Sequence, residues 1–572
     1  MSAVVQADRR PAEPSFAEEA WTRQTSLLLL AVLVLSTIII LRGIRHGEFS
    51  YNVDETQHAM TGFFAADFMR DHPLRHPVDY AYQYYAQYPA LSGIIHWPPL
   101  FYFFEGLSFL VLGPTVVSAR LTILVFALLG LSTWFILLRT VCSEWVAAAG
   151  ALLLACAPGL LLFEKSVMLE IPCLALCMLA TLFWARYLLR ESPADVYMFG
   201  IFASAAALTK QNSVYLIPFC VLSGLSVRGW RLFFRAPVLK AVAIGVVLTA
   251  PFYALVYLVH WKNVSTDLGE KSGSVFEAVA FYWRALPEQL GWSVILLAIV
   301  GVITAGRWAR PKVPLIMLSW IVACYITFTV IGHKAPRYAI YWIPPFLYFA
   351  LGPLIHYFRK PALRTAGAVA AVFLAGTGVI YGWSYHRPYV SGYEPVVQRV
   401  TQMSRSGVIL YDAPLPGNFI FFLRAGDSGR HFVVLRKALY TTQINPTGGA
   451  PVELIRSPQQ IEELIHAYGI RFFVVSEGTP LKFNSQAILR DLLKGPNYRK
   501  IGTFPIESSE FSPHLDLALY ENTAWAPPAE KFLRIKMLTL NHDIVVPMDR
   551  FNLEVPAAAA GGGDNKAKVQ AQ

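Results

Sequence analysis

The sequence predicts a polytopic α-helical membrane protein with a C-terminal extracytoplasmic α/β domain. Three observations predict it. Of 572 residues, 55% are hydrophobic and 15% charged, with a mean hydropathy of +0.45; a water-soluble globule of this size needs far more polar surface. Apolar stretches of membrane-spanning length recur between residues 26 and 382. From about residue 384 the composition becomes that of a soluble domain. A purely soluble enzyme is thereby excluded. The net charge of +11 comes from basic residues scattered between apolar blocks. No basic stripe interleaved with stacking aromatics is present, so no nucleic-acid partner is expected.

Residues 1–25 read as a cytoplasmic tail. About twenty polar residues precede the first apolar run and no small-residue cleavage site follows it, so that run is expected to stay as an anchor. The transmembrane unit, 26–383, is expected to hold about eleven spans. They lie near 26–42, 118–138, 145–163, 171–188, 196–209, 212–227, 241–259, 290–306, 313–331, 338–357 and 365–382. The apolar segment 97–113 is brief, carries Glu105 and opens on Pro98 and Pro99, which suit a helix start. If it lies in the interface, with Glu105 capping its wet side, the Lys and Arg clusters all fall on one face. Those clusters are the N-terminal tail, Arg139, Arg186 with Arg190, 228–240, 307–312 and 359–364. The N-terminus is then cytoplasmic and the C-terminus outside.

The large first external loop, 43–117, is expected to hold two surface helices, one starting near Asp54 and one near Pro98. In the external domain, 384–555, strands are expected at 408–412, 431–435 and 470–476. A helix is expected at 457–469, capped by Ser457, with Pro458 first and glycine last. The low-complexity tail 556–572 is expected to be disordered. The six cysteines all precede residue 330 without metal-ligand spacing, so neither a disulfide framework nor a zinc site is expected. No cofactor is called for, although a divalent metal stays open. The lack of external cysteines and the short polar tail point to a bacterial plasma membrane. The sequon at Asn263 is expected in an external loop, relevant only in a eukaryotic secretory pathway.

Under this topology, acids and bases from distant positions share one membrane face: Asp54 and Glu55, Glu164, Lys165 and Glu170, Lys210, and His333, Lys334 and Arg337. Charges at a bilayer edge are costly and point to function. Each has a plainer alternative. Asp54 and Glu55 suit any helix start, and His58 lies one turn beyond them. Glu170 suits an interfacial pair with Lys165, and Lys210 suits snorkelling to the headgroups. The compact turn of Lys334 and Arg337 suits a phosphate or lipid headgroups. Arg120 and His96 read as structural. The combination meets the needs of glycosyl transfer from a phosphate leaving group. A carboxylate takes the attacking hydroxyl's proton, and cations stabilise the departing phosphate.

At these residues the chain resembles the lipid-carrier-dependent glycosyltransferases of the GT-C fold, a family including protein O-mannosyltransferases and the lipid A aminoarabinose transferase. The resemblance covers roughly 25–385. It rests on Asp54-Glu55, the PPL segment (Pro98, Pro99, Leu100, Tyr102, Leu112, Gly113), SARL at 118–121, the P…S…E-I-P stretch at 158–172, LTK at 208–210, and Lys334, Arg337 and Tyr338. It implies a GT-C membrane domain and a polyprenyl-phosphate sugar donor. It also implies a lipid, glycan or protein acceptor and inverting displacement on the extracytoplasmic face, among membrane lipids. By position, Asp54 resembles the catalytic base, assisted by Glu55, while Lys210, Lys334 and Arg337 resemble the carrier-phosphate ligands. Relatives often carry an arginine and then an aspartate in the second external loop, where Lys165 and Glu170 stand here; Glu170 is counted with the catalytic acids. His58, His333 and Tyr338 are adjoining candidates. A multi-span transporter or lipid flippase is the competing reading; it requires internal repeats and ionisable residues near the midplane. A non-catalytic assembly or polysaccharide-binding factor, resting on the external domain, is a third.

Overall fold

The computed structural model describes residues 21–50, 52–91, 97–269, 274–309, 312–359, 361–443, 452–509, 515–535 and 543–553. His96 and the tail 556–572 lie outside them. Among the described residues, seven helices are long and apolar enough to cross a bilayer, or up to nine if each of two bent pairs is one span. Side-chain caps begin two of the seven: Thr22 and Thr25 form a capping box ahead of Arg23–Leu41, and Thr115 and Ser118 do so ahead of Val116–Arg139. The stretch expected as a span at 145–163 is broken into Glu144–Ala155 and Pro158–Glu164, bent by 66°, because Pro158 opens a new helix. The pair Val275–Leu290 and Trp292–Ile303 turns by 110° at Gly291, whose φ of 76° lies in the left-handed region.

The stretches expected at 196–209 and 212–227 form helices of 15 and 13 residues, Pro193–Ala207 and Leu216–Arg228. At 1.5 Å per residue they reach roughly 20–23 Å, short of a hydrocarbon core of about 30 Å. The 3₁₀ turn Gln211–Tyr215 joins them. Asn263 is placed in the helix Ala236–Gly269, not in a loop. Glu170–Arg190 and Pro336–His356 are mostly buried, whereas the 236–258 stretch exposes Val242, Val246, Val247 and Leu248. An apolar surface of that kind needs lipid around it.

Among the described residues the first long loop carries three helices, not two: Asn52–Asp71, Pro77–Gln87 and Leu100–Leu112. The added one begins with Pro77 and repeats tyrosine at 80, 84 and 88, a helical spacing that the polar composition conceals. Its Tyr84 packs edge-on against Phe64 at 5.2 Å. Glu105 does not face water. It is 0% exposed and pressed against Gly62, where a β-carbon would lie 2.2 Å from its Oε2. Neither oxygen has a hydrogen-bond partner among the described residues. Burial pushes its pKa well above the usual range, so it sits as a neutral acid. Glu105→Gln loses no charge partner and is expected to match or exceed the wild-type melting temperature in detergent; a large drop would show a partnered carboxylate.

The C-terminal unit is built on a six-stranded sheet. Its strands stand in the order Val390–Ser391, Tyr498–Ser508, Leu515–Asn522, Ile470–Glu477, Gly407–Asp412, Phe432–Arg436. Gly407–Asp412 is buried throughout and pairs in parallel with both neighbours, which explains its continuous apolar run. The helix Pro458–Tyr468 starts at the Ser457 cap and ends at Gly469, with φ of 58°.

This unit is fastened to the loop after the first helix. The Glu48 carboxylate accepts the amides of Gly392, Tyr393 and Glu394 at 3.1–3.2 Å, at the start of helix Tyr393–Met403. Asn418 accepts the amide of Phe49 at 3.2 Å and donates to its carbonyl at 2.8 Å. Desolvation outweighs the amide bonds and raises the Glu48 pKa from 4.5 to about 7. The folded state therefore holds a proton that the unfolded chain releases. Glu48's stabilising contribution is complete below about pH 4.5 and is lost as pH rises through about 7. Denaturation midpoints between pH 5 and 8 are expected to fall with pH in the wild type and to fall less steeply in Glu48→Gln. An unchanged slope would place the titrating group elsewhere.

Candidate active site

Four charged side chains from four separate elements meet at one point. Asp54 comes from the first turn of Asn52–Asp71 and Glu170 opens Glu170–Arg190; both positions are favoured for carboxylates by the helix dipole. Lys210 precedes the 3₁₀ turn at 211–215, and Arg337 lies in the 3₁₀ segment Pro336–Trp342. Arg337 Nη1 donates to Asp54 Oδ2 at 2.8 Å, and its Nε stands 3.7 Å from Glu170 Oε1. Lys210 Nζ donates to that same Glu170 oxygen at 2.6 Å.

The cluster has a mouth and a floor. The Asp54 and Arg337 side chains are 22% and 18% exposed, whereas Glu170 and Lys210 are 0% and 2%. Two carboxylates face two cations, so the formal charge closes to zero, as burial demands. Glu170 Oε2 has no hydrogen-bond partner among the described residues. The indole of Trp97 covers the floor, 5.5 Å from Lys210 Nζ. The same indole meets the His58 ring edge-on at 5.6 Å, and His58 Nδ1 shares a 2.7 Å hydrogen bond with the Tyr102 hydroxyl. His58 is thus buried between aromatics one turn behind Asp54. Trp97 was missed in the sequence; its one signal is its place directly before the PPL segment.

Several pairings differ from those expected. Glu170 pairs with Lys210, not with Lys165. Lys165 Nζ donates to the carbonyls of Ile39, Ile40 and Arg42 at 2.5–3.3 Å, closing the end of the first helix, where backbone carbonyls lack partners. Lys210 does not snorkel, being held inward by Glu170. Lys334 is engaged at the end of Lys312–Val330, donating to the carbonyls of Phe328, Thr329 and Ile331, so its ammonium serves as a helix cap. Glu55 is 0% exposed and accepts the amides of Ser50 at 2.8 Å and Val167 at 3.0 Å, tying the first loop to the second. His333 is exposed, 5.9 Å ring to ring from the half-buried Tyr338, which lies 5.7 Å below the Arg337 guanidinium. Arg120 is structural, donating to the carbonyls of Ile44 at 2.5 Å and Glu48 at 2.7 Å.

The accessible carboxylate can accept a proton from a hydroxyl, and the adjacent guanidinium can hold an oxyanion. Residues 96–255 match the family model described as dolichyl-phosphate-mannose-protein mannosyltransferase. No curated protein sequence matches the chain. The crystal structure of ArnT from Cupriavidus metallidurans in the apo state is similar, with 13% identity, TM-score 0.59, and coverage of 88% of this chain and 100% of that one. The same protein bound to undecaprenyl phosphate shows 14% identity, TM-score 0.57, and coverage of 86% and 97%. The arabinofuranosyltransferase AftD from Mycobacteria shows 13% identity and TM-score 0.52 over 89% of this chain and 40% of that one. Taken with the helical membrane unit, the helices of the first long loop and the C-terminal sheet, these matches show that the chain has the GT-C fold of the membrane glycosyltransferases.

Proposed function

We propose that the chain transfers a hexosyl or pentosyl unit from a polyprenyl-phosphate donor to a lipid, glycan or protein acceptor at the extracytoplasmic face of a plasma membrane. The observation that carries this reading is the chain of contacts from Asp54 through Arg337 and Glu170 to Lys210. The ArnT structure bound to undecaprenyl phosphate supports the donor class. With the N-terminus cytoplasmic, the cluster lies at the outer leaflet, where the donor's lipid tail stays in the bilayer.

The acceptor oxygen attacks the anomeric carbon with inversion while the carbon–oxygen bond to phosphate breaks. Asp54 takes the acceptor's proton. The phosphodiester becomes a monoester and gains negative charge as Asp54 loses its own. Arg337, bonded to Asp54 before reaction, then turns its field to the leaving phosphate, so proton uptake and leaving-group stabilisation are coupled through one guanidinium. Glu170 and Lys210 form the floor that positions Arg337 from below. Lys334, engaged by carbonyls, shapes the turn that presents Arg337. In purified protein, transfer of radiolabelled sugar from a polyprenyl-phosphate donor tests the reading; Lys210→Ala is expected to reduce it strongly. Movement of intact donor across liposomes without a transfer product would favour the flippase reading.

A further inference from the structure

A second charged cavity adjoins Glu55 and takes no part in the chemistry above. It is a small, open pocket lined by Arg42, Arg120, Glu164, Lys165 and Arg387 together with the flanking residues 40–44. Arg120 and Lys165 are 2% and 5% exposed, and the Arg387 side chain 6%. The neighbouring acids are Glu164 and, 3.8 Å from Arg387 Nη1, Glu55. Four cations thus face two acids, leaving positive charge in a largely dry place. Uncompensated charge there is costly. Carbonyls satisfy part of the donor set: Arg120 on Ile44 and Glu48, Arg387 on His46 at 2.6 Å, Lys165 on the end of the first helix. Three buried guanidinium nitrogens, Arg42 Nη1, Arg120 Nε and Arg387 Nη1, have no hydrogen-bond partner among the described residues.

We propose that this cavity binds a phosphate group, as a site separate from the carrier-phosphate site at Arg337. Forked guanidiniums converging with an ammonium suit a tetrahedral oxyanion better than a point anion. The phosphate belongs either to a lipid headgroup or to free inorganic phosphate. The inference goes beyond the transfer reaction and does not need it.

The test uses the full chain in detergent, titrated with inorganic phosphate against chloride at constant ionic strength, with the melting temperature as readout. Native mass spectrometry follows retained phospholipid. The wild type is expected to show a saturable, phosphate-specific rise, with apparent affinity at least about tenfold weaker in Arg387→Gln. Arg42→Gln, at a half-buried position, gives the same readout if Arg387→Gln fails to fold. Arg337→Gln is expected to keep the rise. If phospholipid copurifies, is displaced by phosphate and is lost in Arg42→Gln, the headgroup is the source; a rise without retained lipid assigns free phosphate. An equal response to chloride, a rise lost in Arg337→Gln but kept in Arg42→Gln, or neither rise nor retained lipid would overturn the proposal.

Discussion

Asp54→Asn is expected to lower sugar transfer by about 10²–10⁴-fold, the usual worth of a positioned general base, while leaving the fold and donor binding nearly unchanged. The amide keeps the size of the side chain, and its oxygen still accepts from Arg337, which now donates to Asp54 at 2.8 Å. What it loses is basicity. The loss should therefore fall on kcat, with the donor KM moved little, because the interaction removed develops only as the hydroxyl proton leaves. Asp54→Glu, with the base restored on a longer arm, should recover part of the rate. Full activity in Asp54→Asn would remove Asp54 from the chemistry and leave it as a partner that orients Arg337.

The second large effect concerns Asp67, which lies on the same helix as Asp54 and is completely buried. Its Oδ2 accepts Arg424 Nε at 3.0 Å, Arg424 Nη2 at 2.7 Å and the Tyr84 hydroxyl at 2.8 Å, while Oδ1 lies 3.2 Å from Arg430 Nη2. Arg424 and Arg430 belong to the sheet-bearing unit, so this one carboxylate locks that unit onto the loop helix that carries Asp54. Asp67→Ala leaves the Arg424 guanidinium, 3% exposed, buried without its partner. The cost of breaking such a pair is about 3–5 kcal/mol, read as a large fall in melting temperature and early proteolysis between the loop and the C-terminal unit. Replacing both partners, Asp67→Ala with Arg424→Met, should recover much of the loss, since the unpaired charge is then gone.

The membrane character and the C-terminal strands were legible because hydropathy and alternating or continuous apolar runs act locally. The strand Ile470–Glu477 and the Ser457-capped helix coincide with the expected segments to within a residue or two. Bends were not legible: Pro158 and Gly291 allow a break, but the 66° and 110° turns depend on what packs around them. For the site, the types and faces of Asp54, Glu170, Lys210 and Arg337 could be read, and their meeting could be inferred. Which acid takes which base could not. Lys165 and Lys334 look like site cations in sequence, yet each ammonium closes the carbonyl end of a helix, a role decided by three-dimensional reach. Glu105 looked wet because a carboxylate usually is; only the contact with Gly62 shows that the helix crossing is too close for water.

In the proposed reaction the carrier phosphate sits at the cluster of Asp54, Arg337, Glu170 and Lys210. A structure of the full chain bound to polyprenyl phosphate tests it most directly. Phosphate oxygens are expected within about 3 Å of the Arg337 guanidinium, with the Asp54 carboxylate facing the position of the sugar. A phosphate bound far from Arg337, with the Asp54–Arg337 and Lys210–Glu170 pairs undisturbed and closed to it, would rule out this cluster as the donor site.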